Sequence, residues 1–288
     1  MVEQPRGIRN LFKVENIAKA LKALYLIFYT TFMLFPIIWM VSGAFKTDAE
    51  IFSKTPTIIP VRPTLSNFLP PKMPTAMWRW LTNSLIVSVS SASICSLIGL
   101  FGGYAFSRAR IKKFKVFLNL LMIAYIFPPA FLIVGFTRLV NFFGLLDNLV
   151  GVILVYVCLQ GPYNIYLIYS YMAAIPRELD DAAEIDGWSK THVLFRLILP
   201  LSLPVIVTAF MWTFMMTWNE LIYALVLLNS PSNLTMNVGL SSLQAGDISP
   251  YGVMFAGATV YASIPVVLFM FLQKYYILGL TRGGVRTA

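Results

Sequence analysis

Residues that could carry acid–base, nucleophilic or metal chemistry are few in this chain of 288 residues. His192 is the single histidine, Cys95 and Cys158 are the two cysteines, and Glu220 is the one ionisable residue inside the long apolar stretches. They form no Ser/His/Asp set and no metal-ligand cluster. No glycine is followed by lysine, so the Walker A pattern that binds ATP phosphates is absent. We therefore expect a chain that is not an enzyme, with no catalytic residue, no metal and no cofactor of its own.

The segment 175–200 holds the pattern with the clearest mechanical meaning. Pro176 suits the first position of a helix, and the acidic residues after it place negative charge in the first turn, where the macrodipole favours it. Gly187 suits the end of that helix, and Ser189 can cap a second one. The second helix has an apolar stripe of Val193, Leu194, Leu197 and Ile198. We predict two short helices at an angle that dock a partner protein; an ordinary amphipathic loop is the alternative.

Most of the chain is apolar enough to lie in a membrane. It is 58% hydrophobic and 12% charged, whereas soluble domains carry about 25% charged residues. Stretches of about 20 apolar residues cross a bilayer as helices, because lipid offers no hydrogen bonds to the backbone. The predicted helices are Ala23–Phe45, Asn83–Ser107, Val116–Thr137, Asn148–Ala174, Leu201–Ser230 and Tyr251–Gln273. The predicted fold class is an all-α membrane protein with six transmembrane helices.

Prolines and a proline-rich loop interrupt this pattern. Pro36, Pro128, Pro129 and Pro265 fall inside predicted helices, where membrane helices tolerate them if neighbours satisfy the freed carbonyl groups. These prolines are equally compatible with functional breaks in the helices and with kinks that serve only packing. Residues 46–82 hold six prolines, and we predict extended structure over the outer surface there.

The distribution of basic residues predicts the orientation. Sixteen of the 22 lysines and arginines lie in residues 1–22, 108–115, 175–200 and 274–288. Cytoplasmic loops carry this excess, so both termini are predicted to be cytoplasmic. Residues 1–22 and 274–288 are then tails, and residues 23–273 form the membrane domain. The basic leader and the missing cleavage site argue against a signal peptide. The net charge of +10, spread over separate loops, indicates attraction to anionic lipid rather than to nucleic acid.

The segment 175–200 also resembles a known motif. It reads Asp181-Ala182-Ala183, three residues, Gly187, nine residues, then Leu197-x-Leu199-Pro200, with Asp186 before the glycine. This spacing resembles the EAA loop of ABC-importer permeases, in which glutamate and isoleucine stand where Asp181 and Leu197 stand here. The resemblance implies the type I ABC-importer permease fold, in which a separate ATPase grips this loop. Residues 175–200 are called the coupling loop below.

Further motifs resemble the MalG-type permeases of sugar importers, and the resemblance runs from about residue 22 to the C-terminus. They are Trp218-Asn219-Glu220, Gly279-Leu280-Thr281-Arg282-Gly283-Gly284-Val285-Arg286, Glu50-Ile51-Phe52 and Pro63-Thr64-Leu65-x-Asn67. The resemblance implies one half of a pathway in the inner membrane of a bacterium or archaeon. The solute would be a disaccharide or oligosaccharide delivered by an extracellular binding protein.

The resemblance also implies partners and contact residues. The partners would be a second permease subunit, which makes a heterodimer, two ATPase subunits that bind ATP and Mg²⁺, and the solute-binding protein. Arg282, Gly283 and Gly284 would reach into the ATPase dimer, with a disordered end as the alternative. Gln244, Gly246 and Asp247 would touch the binding protein, with a plain turn as the alternative.

Glu220 is a candidate functional residue because it is ionisable within a predicted span. It lies roughly 30 Å along the helix from Pro200 at about 1.5 Å per residue, near the outer end. There it either forms a structural pair or lines the pathway. Trp212, Trp218 and Asn219 share this helix and would offer a sugar-compatible surface, or would simply pack. In maltose-type relatives the other permease holds most substrate contacts.

Three rival readings remain open. The first is the same kind of importer for a solute such as a peptide or amino acid. The second is a secondary transporter, which would usually show internal repeats and charges near the midplane. The third is a membrane enzyme or an assembly protein, against which the missing acid–base cluster argues.

Overall fold

The structure, a computed structural model, describes residues 6–109, 112–245 and 250–284, and every regular element in these ranges is helical. The α-helices are α1 (Arg6–Ala44), α2 (Asp48–Ile51), α3 (Ala76–Arg108), α4 (Lys112–Ile126), α5 (Pro129–Phe142), α6 (Leu149–Met172), α7 (Glu178–Ile185), α8 (Lys190–Val193), α9 (Leu199–Trp218), α10 (Ile222–Leu227), α11 (Met236–Ser242) and α12 (Tyr251–Gly284). Short 3₁₀ turns occupy Ser66–Phe68 and Leu243–Ala245, and a π-helical turn, Leu194–Ile198, joins α8 to α9.

Five of the described helical segments are long and apolar enough to cross a membrane. They are Lys19–Ala44, Ala76–Arg108, Leu149–Met172, Lys190–Trp218 and Tyr251–Tyr275. These segments correspond to five of the six predicted helices and confirm the all-α fold class.

The predicted span over residues 116–137 is interrupted at its two prolines, one of the two outcomes left open, and is split into α4 and α5. The break lies at Phe127 and Pro128, where Pro128 has extended backbone (φ −59°, ψ 123°). Two consecutive prolines remove two N–H donors, and a residue before proline avoids the helical region. Pro36 and Pro265, by contrast, lie inside continuous helices. One proline therefore leaves a helix intact here, whereas two in succession end it.

The predicted helix over residues 201–230 also ends early. α9 stops at Trp218, and the chain turns before it enters the short helix α10. Asn219 forms the end of α9 through backbone bonds to Met215 and Thr217. Apolar composition continues through the turn, which is why the sequence alone suggested one long helix.

Contacts divide the chain into two compact units, the described parts of residues 1–73 with 249–259 and of residues 74–248 with 260–288. In the larger unit α3 packs closely on α6. A Cβ atom at Gly99 would lie 2.7 Å from Ile168, and one at Gly103 would lie 2.9 Å from the Tyr169 backbone nitrogen. Glycines four residues apart let two membrane helices approach with their backbones nearly in contact.

The smaller unit contains the proline-rich loop after α1, which is folded around two side chains rather than simply extended. The Asn67 amide donates to the backbone carbonyls of Ala44 (2.9 Å) and Lys46 (2.7 Å). The Glu50 carboxylate accepts from the Thr57 hydroxyl (2.7 Å) and the Val61 N–H (2.9 Å), and these bonds lower the pKa of Glu50. Glu50 and Asn67, which belong to two of the motifs that resemble MalG-type permeases, thus hold the loop's turns in place.

In the larger unit Asp147 ties the turn before α6 to the turn after α10. Its carboxylate accepts from the backbone N–H groups of Asn229 and Ser230, both at 2.9 Å, and from the Ser230 hydroxyl. The bond from the Ser230 hydroxyl and those from the backbone lower the pKa of Asp147 to about 2. Its positive φ of 55° is one that aspartate and asparagine tolerate better than most residues.

We expect Asp147→Asn to lower the apparent Tm of the detergent-purified protein at pH 7, because an amide oxygen accepts these bonds less strongly than a carboxylate. A carboxyl group whose pKa is lower in the folded state stabilises the fold at pH values above its unfolded-state pKa. This stabilisation is lost as the pH falls through the folded-state pKa. The difference in Tm between wild type and variant should therefore stay constant from pH 7 to about pH 5. It should then shrink as pH falls from about 4 towards 2.

The matched control is Asp181→Asn, which removes the charge of an exposed carboxylate elsewhere in the chain. A difference in Tm that is unchanged down to pH 3, or absent at pH 7, would contradict this role of Asp147.

Candidate functional site: the coupling loop and its attachment

The first half of the coupling loop forms the predicted helix and ends at the predicted glycine. Trp188 N–H donates to the Ala183 carbonyl (2.9 Å), and Gly187 N–H donates to the Glu184 carbonyl (3.1 Å). This pair of bonds is a Schellman motif, which needs a left-handed residue at the turn. Gly187 supplies it with φ of +84°. The Ser189 hydroxyl then accepts from the N–H of His192 at 3.3 Å and caps α8, as predicted.

The second half differs from the prediction of a second short helix. α8 continues through the π-helical turn Leu194–Ile198 directly into α9, so the helical segment runs without interruption from Lys190 to Trp218. Pro200 directly follows this π-helical turn, and as a proline it donates no backbone hydrogen bond there. A displacement of the loop would therefore be transmitted straight along a membrane helix.

The predicted apolar stripe packs into the membrane bundle. Val193, Leu194 and Ile198 are buried in a cluster with Leu100 of α3 and with α6. The partly buried residues on that cluster include Ala183, Leu197 and Leu199. The buried and partly buried members of the motif therefore attach the loop to the helix bundle.

Two arginines attach the loop to the ends of α3 and α6 in a reciprocal arrangement. Arg108, the last residue of α3, donates to the carbonyls of Met172 (3.3 Å) and Ile175 (3.1 Å) at the end of α6. Arg177, which follows α6, donates to the carbonyl of Ser107 (2.8 Å) at the end of α3. Helix C-termini leave carbonyl groups unpaired, and cations there also suit the macrodipole. Each arginine thus caps the neighbouring helix.

An ion pair adds α7 to this arrangement. The Arg108 Nε lies 2.7 Å from Asp180 Oδ2, and the side chains are 15% and 11% exposed. Burial raises the pKa of the Asp180 carboxyl, and the Arg108 guanidinium opposes that rise. Arg108, Arg177 and Asp180 are called the arginine clasp below. It lines an open groove of about 540 Å³ together with Asp181 and Glu184.

The remaining predicted contact residues point outward. Asp181, Ala182, Asp186 and Gly187 are exposed, as is Pro200 at the start of α9. His192 is exposed and packs beside Trp188, with ring centroids 5.4 Å apart. The motif is thus divided into residues that anchor the loop and residues that present a surface.

The predicted pathway residues are largely engaged in internal contacts. Trp218 is 2% exposed and stacks on Tyr261 at 4.4 Å. The Glu220 carboxylate accepts from the Tyr156 hydroxyl and from the N–H groups of Tyr223 (2.9 Å) and Ala224 (3.3 Å). Glu220 therefore caps α10 and joins it to α6, a structural arrangement within the chain.

The other predicted residues can be placed only in part. Asn219 is exposed and bonds its own helix at Met215 (2.8 Å), while Trp212 is half-buried. Gln244 is exposed, whereas Gly246 and Asp247 lie outside the described residues. The backbone of Arg282, Gly283 and Gly284 continues α12, so this part of the predicted tail is helical, but the Arg282 side chain lies outside the description.

Sequence reasoning missed the arginine clasp and the amides that hold neighbouring elements together. Asn237 donates to the carbonyl of Trp218 (3.0 Å), and Asn164 donates to Thr213 (2.7 Å) between α6 and α9. A signal for the clasp did exist, because Arg108 and Arg177 each directly follow an apolar stretch, where a helix leaves carbonyls unpaired. Their reciprocal pairing could not be predicted, since it depends on which helices are neighbours.

This geometry defines a helical membrane protein with an exposed acidic hairpin attached to the ends of its membrane helices. The chain belongs to the family described as binding-protein-dependent transport system inner membrane component, whose model matches residues 95–281. The sequence prediction of a permease subunit of an ATP-driven importer, rather than an enzyme, is thereby confirmed.

Relatives with known assignments match most of the chain. The diacetylchitobiose uptake system permease protein DasC of Streptomyces coelicolor is 30% identical over 88% of this chain and 92% of its own. The sulfoquinovosyl glycerol transport system permease protein SmoH of Agrobacterium fabrum is 32% identical, over 88% and 89%. The galactooligosaccharides transport system permease protein GanQ of Bacillus subtilis is 31% identical, over 91% and 94%.

The fold also matches a solved structure. One chain of a bacterial ABC transporter involved in the import of the acidic polysaccharide alginate superposes with a TM-score of 0.74. The alignment covers 96% of this chain and 100% of that chain at 22% identity. The ABC-importer permease fold predicted from the sequence is thereby confirmed.

We expect Arg108→Met to lower the free energy of unfolding by about 3 kcal/mol, since it leaves the Asp180 carboxylate buried without its partner. Unfolding of the detergent-purified chain followed by circular dichroism would measure this. The double variant Arg108→Met/Asp180→Leu should recover part of the loss, because no unpaired charge then remains.

Arg196→Met is the matched control, since Arg196 is an exposed arginine of the same loop. It should change stability by less than about 0.5 kcal/mol. Equal effects of Arg108→Met and Arg196→Met would show that the clasp does not hold the loop.

Proposed function

We propose that this chain is one of two permease subunits of an ATP-driven importer and forms half of the pathway for a disaccharide or oligosaccharide. The observation that carries the proposal is the coupling loop, an exposed acidic surface attached directly to the ends of α3 and α6. Movement of a soft loop would be lost in its own deformation. This one is fixed by an ion pair, reciprocal caps and an apolar cluster.

The coupling loop is proposed to be the surface that two ATPase subunits move, one through this chain and one through its partner. ATP and Mg²⁺ are bound by those subunits. When the ATPases close, the loop is displaced and α9 moves with it, so the bundle changes between inward-facing and outward-facing forms. Arg282, Gly283 and Gly284 at the end of α12 are proposed to extend this contact.

Carbohydrate is proposed as the solute class because the relatives are named for diacetylchitobiose, sulfoquinovosyl glycerol and galactooligosaccharides. A heterodimeric partner permease and an extracellular solute-binding protein complete the machine. Gln244, Gly246 and Asp247 are proposed to meet the binding protein. A peptide or amino acid importer of the same kind is the second candidate.

The proposed topology has six crossings in the cytoplasmic membrane of a bacterium or archaeon, with both termini inside. α4 and α5 together form the third crossing, despite the break between them. A Lys112→Cys variant, with Cys95 and Cys158 changed to serine, should react with an impermeant maleimide in inside-out vesicles and not in intact cells. Labelling in intact cells would overturn this orientation.

The function is tested on the complete transporter reconstituted in vesicles. The cognate binding protein is first screened by thermal shift with diacetylchitobiose, galactobiose and maltotriose, and with a dipeptide and an amino acid mixture. Wild-type vesicles should then import the stabilising sugar only when ATP is supplied on the ATPase side. Stabilisation by a dipeptide or an amino acid alone would replace the sugar with the second candidate.

The variants Asp186→Lys and Gly187→Pro test the coupling surface in the same vesicles. Both residues are exposed, so membrane insertion and complex assembly should be retained. Gly187→Pro cannot adopt the positive φ and removes the N–H that bonds Glu184. We expect ATP hydrolysis to continue while sugar uptake falls by about tenfold or more, a loss of at least ~1.4 kcal/mol of coupling.

Ser241→Lys, which adds a charge on α11 instead, serves as the control for a charge introduced outside the loop. Wild-type uptake and wild-type ATP hydrolysis in both loop variants would show that the loop is not the coupling surface.

A further inference from the structure

Three aromatic rings from three different helices form a row in the larger unit. Tyr125 of α4 stacks on Tyr163 of α6 with ring centroids 5.2 Å apart, and Tyr163 packs on Trp212 of α9 at 5.1 Å. All three side chains are half-buried, so part of each ring surface remains accessible. Tyr125 also lines a groove of about 420 Å³ beside the break between α4 and α5. A volume of this order is typical of small-molecule sites, which span roughly 300–1,000 Å³.

Polar atoms without partners lie beside these rings. The Gln160 side-chain oxygen and the Trp212 indole Nε1 are buried and have no hydrogen-bond partner among the described residues. Gln160 lines the same groove as Tyr125. Since Pro129 carries no N–H, the Tyr125 carbonyl also lacks its usual helical bond. Trp212 lines a second groove, which shares Met216 with the first. Buried polar atoms without partners call for an explanation, and these two indicate a polar ligand or water.

The row lies well inside the membrane segments. Tyr163 is nine residues from the end of α6, and Trp212 is thirteen from the start of α9, both ends that adjoin the coupling loop. These separations correspond to about 14 and 20 Å at ~1.5 Å per residue. Irregular backbone at membrane depth, such as the break after α4, is tolerated where it lines a cavity or is buried in protein.

This combination suits a carbohydrate better than a lipid chain. Ring faces pack on the C–H faces of a sugar, while the Tyr125 carbonyl, the Gln160 amide and the Trp212 indole can bond its hydroxyls. An acyl chain would leave those polar groups unsatisfied. Trp218 and Glu220, which the sequence suggested for this role, are occupied by Tyr261, Tyr156 and the start of α10.

We propose that Tyr125, Tyr163 and Trp212, with Gln160, form a sugar-binding surface of this subunit in the membrane part of the pathway. The inference rests on the proposed carbohydrate import function. The subunit would thus contact the solute itself as well as transmit motion. Sugar would leave the binding protein and slide over the aromatic row as the bundle changes its form.

The test uses the complete transporter with the sugar selected by its binding protein. Tyr163→Leu and Trp212→Leu remove a ring, whereas Trp212→Phe keeps a ring face. The Leu variants should lower both sugar uptake in vesicles and sugar retained by the vanadate-trapped complex about tenfold, equivalent to ~1.4 kcal/mol. Trp212→Phe should recover most of both.

ATP hydrolysis stimulated by the loaded binding protein distinguishes this role from a purely structural one. It should stay within about twofold of wild type, or ~0.4 kcal/mol, because the row lies apart from the arginine clasp. Phe142→Leu, which changes an aromatic side chain that is 82% exposed on α5, should leave uptake and retention unchanged.

Two results would overturn the inference in distinguishable ways. Wild-type sugar uptake and retention in all Leu variants would show that the aromatic row does not bind sugar. That result would leave the proposed import function unaffected. If the wild-type vesicles import a dipeptide or an amino acid and none of the three sugars, the proposed substrate class fails, and the sugar surface fails with it.

Discussion

The ion pair of Arg108 with Asp180 joins three helices at one point, because Arg108 ends α3, caps α6 and holds α7. A charge with little exposure is costly when it is left without an opposite charge beside it. Here the same guanidinium neutralises a carboxylate and satisfies two helix-end carbonyls. The position of the coupling loop is therefore set by the ends of the membrane helices and follows them when they move.

The clasp in turn requires that α3 and α6 end side by side. Gly99 and Gly103 make this possible, since a side chain at either would collide with Ile168 or the backbone of α6. In lipid, helix association depends on close packing rather than on hydrophobic burial. The two glycines therefore influence the loop geometry indirectly, from about one and a half and two and a half turns before Arg108 along α3.

Polar groups in the bundle fall into two sets with different consequences. The Glu220 carboxylate and the Asn164 amide nitrogen are engaged by groups of the same chain and fix helix positions. Gln160 and Trp212 each keep a buried polar atom without a partner beside an aromatic row. A rigid frame and a nearby unsatisfied surface are what a transport pathway needs, because the frame transmits motion and the surface meets the solute.

The sequence by itself determined the helices and the turn chemistry of the coupling loop, since apolar length, the Gly187 position and the Ser189 cap act locally. The two consecutive prolines marked a possible interruption of the third span, but the sequence left open whether it would be a kink or a full break. Only the tertiary structure decided that Asp180, rather than Asp181, is the buried acid and that Trp212 stays accessible while Trp218 is buried. Such choices depend on which helices become neighbours, and local sequence carries little information about neighbours.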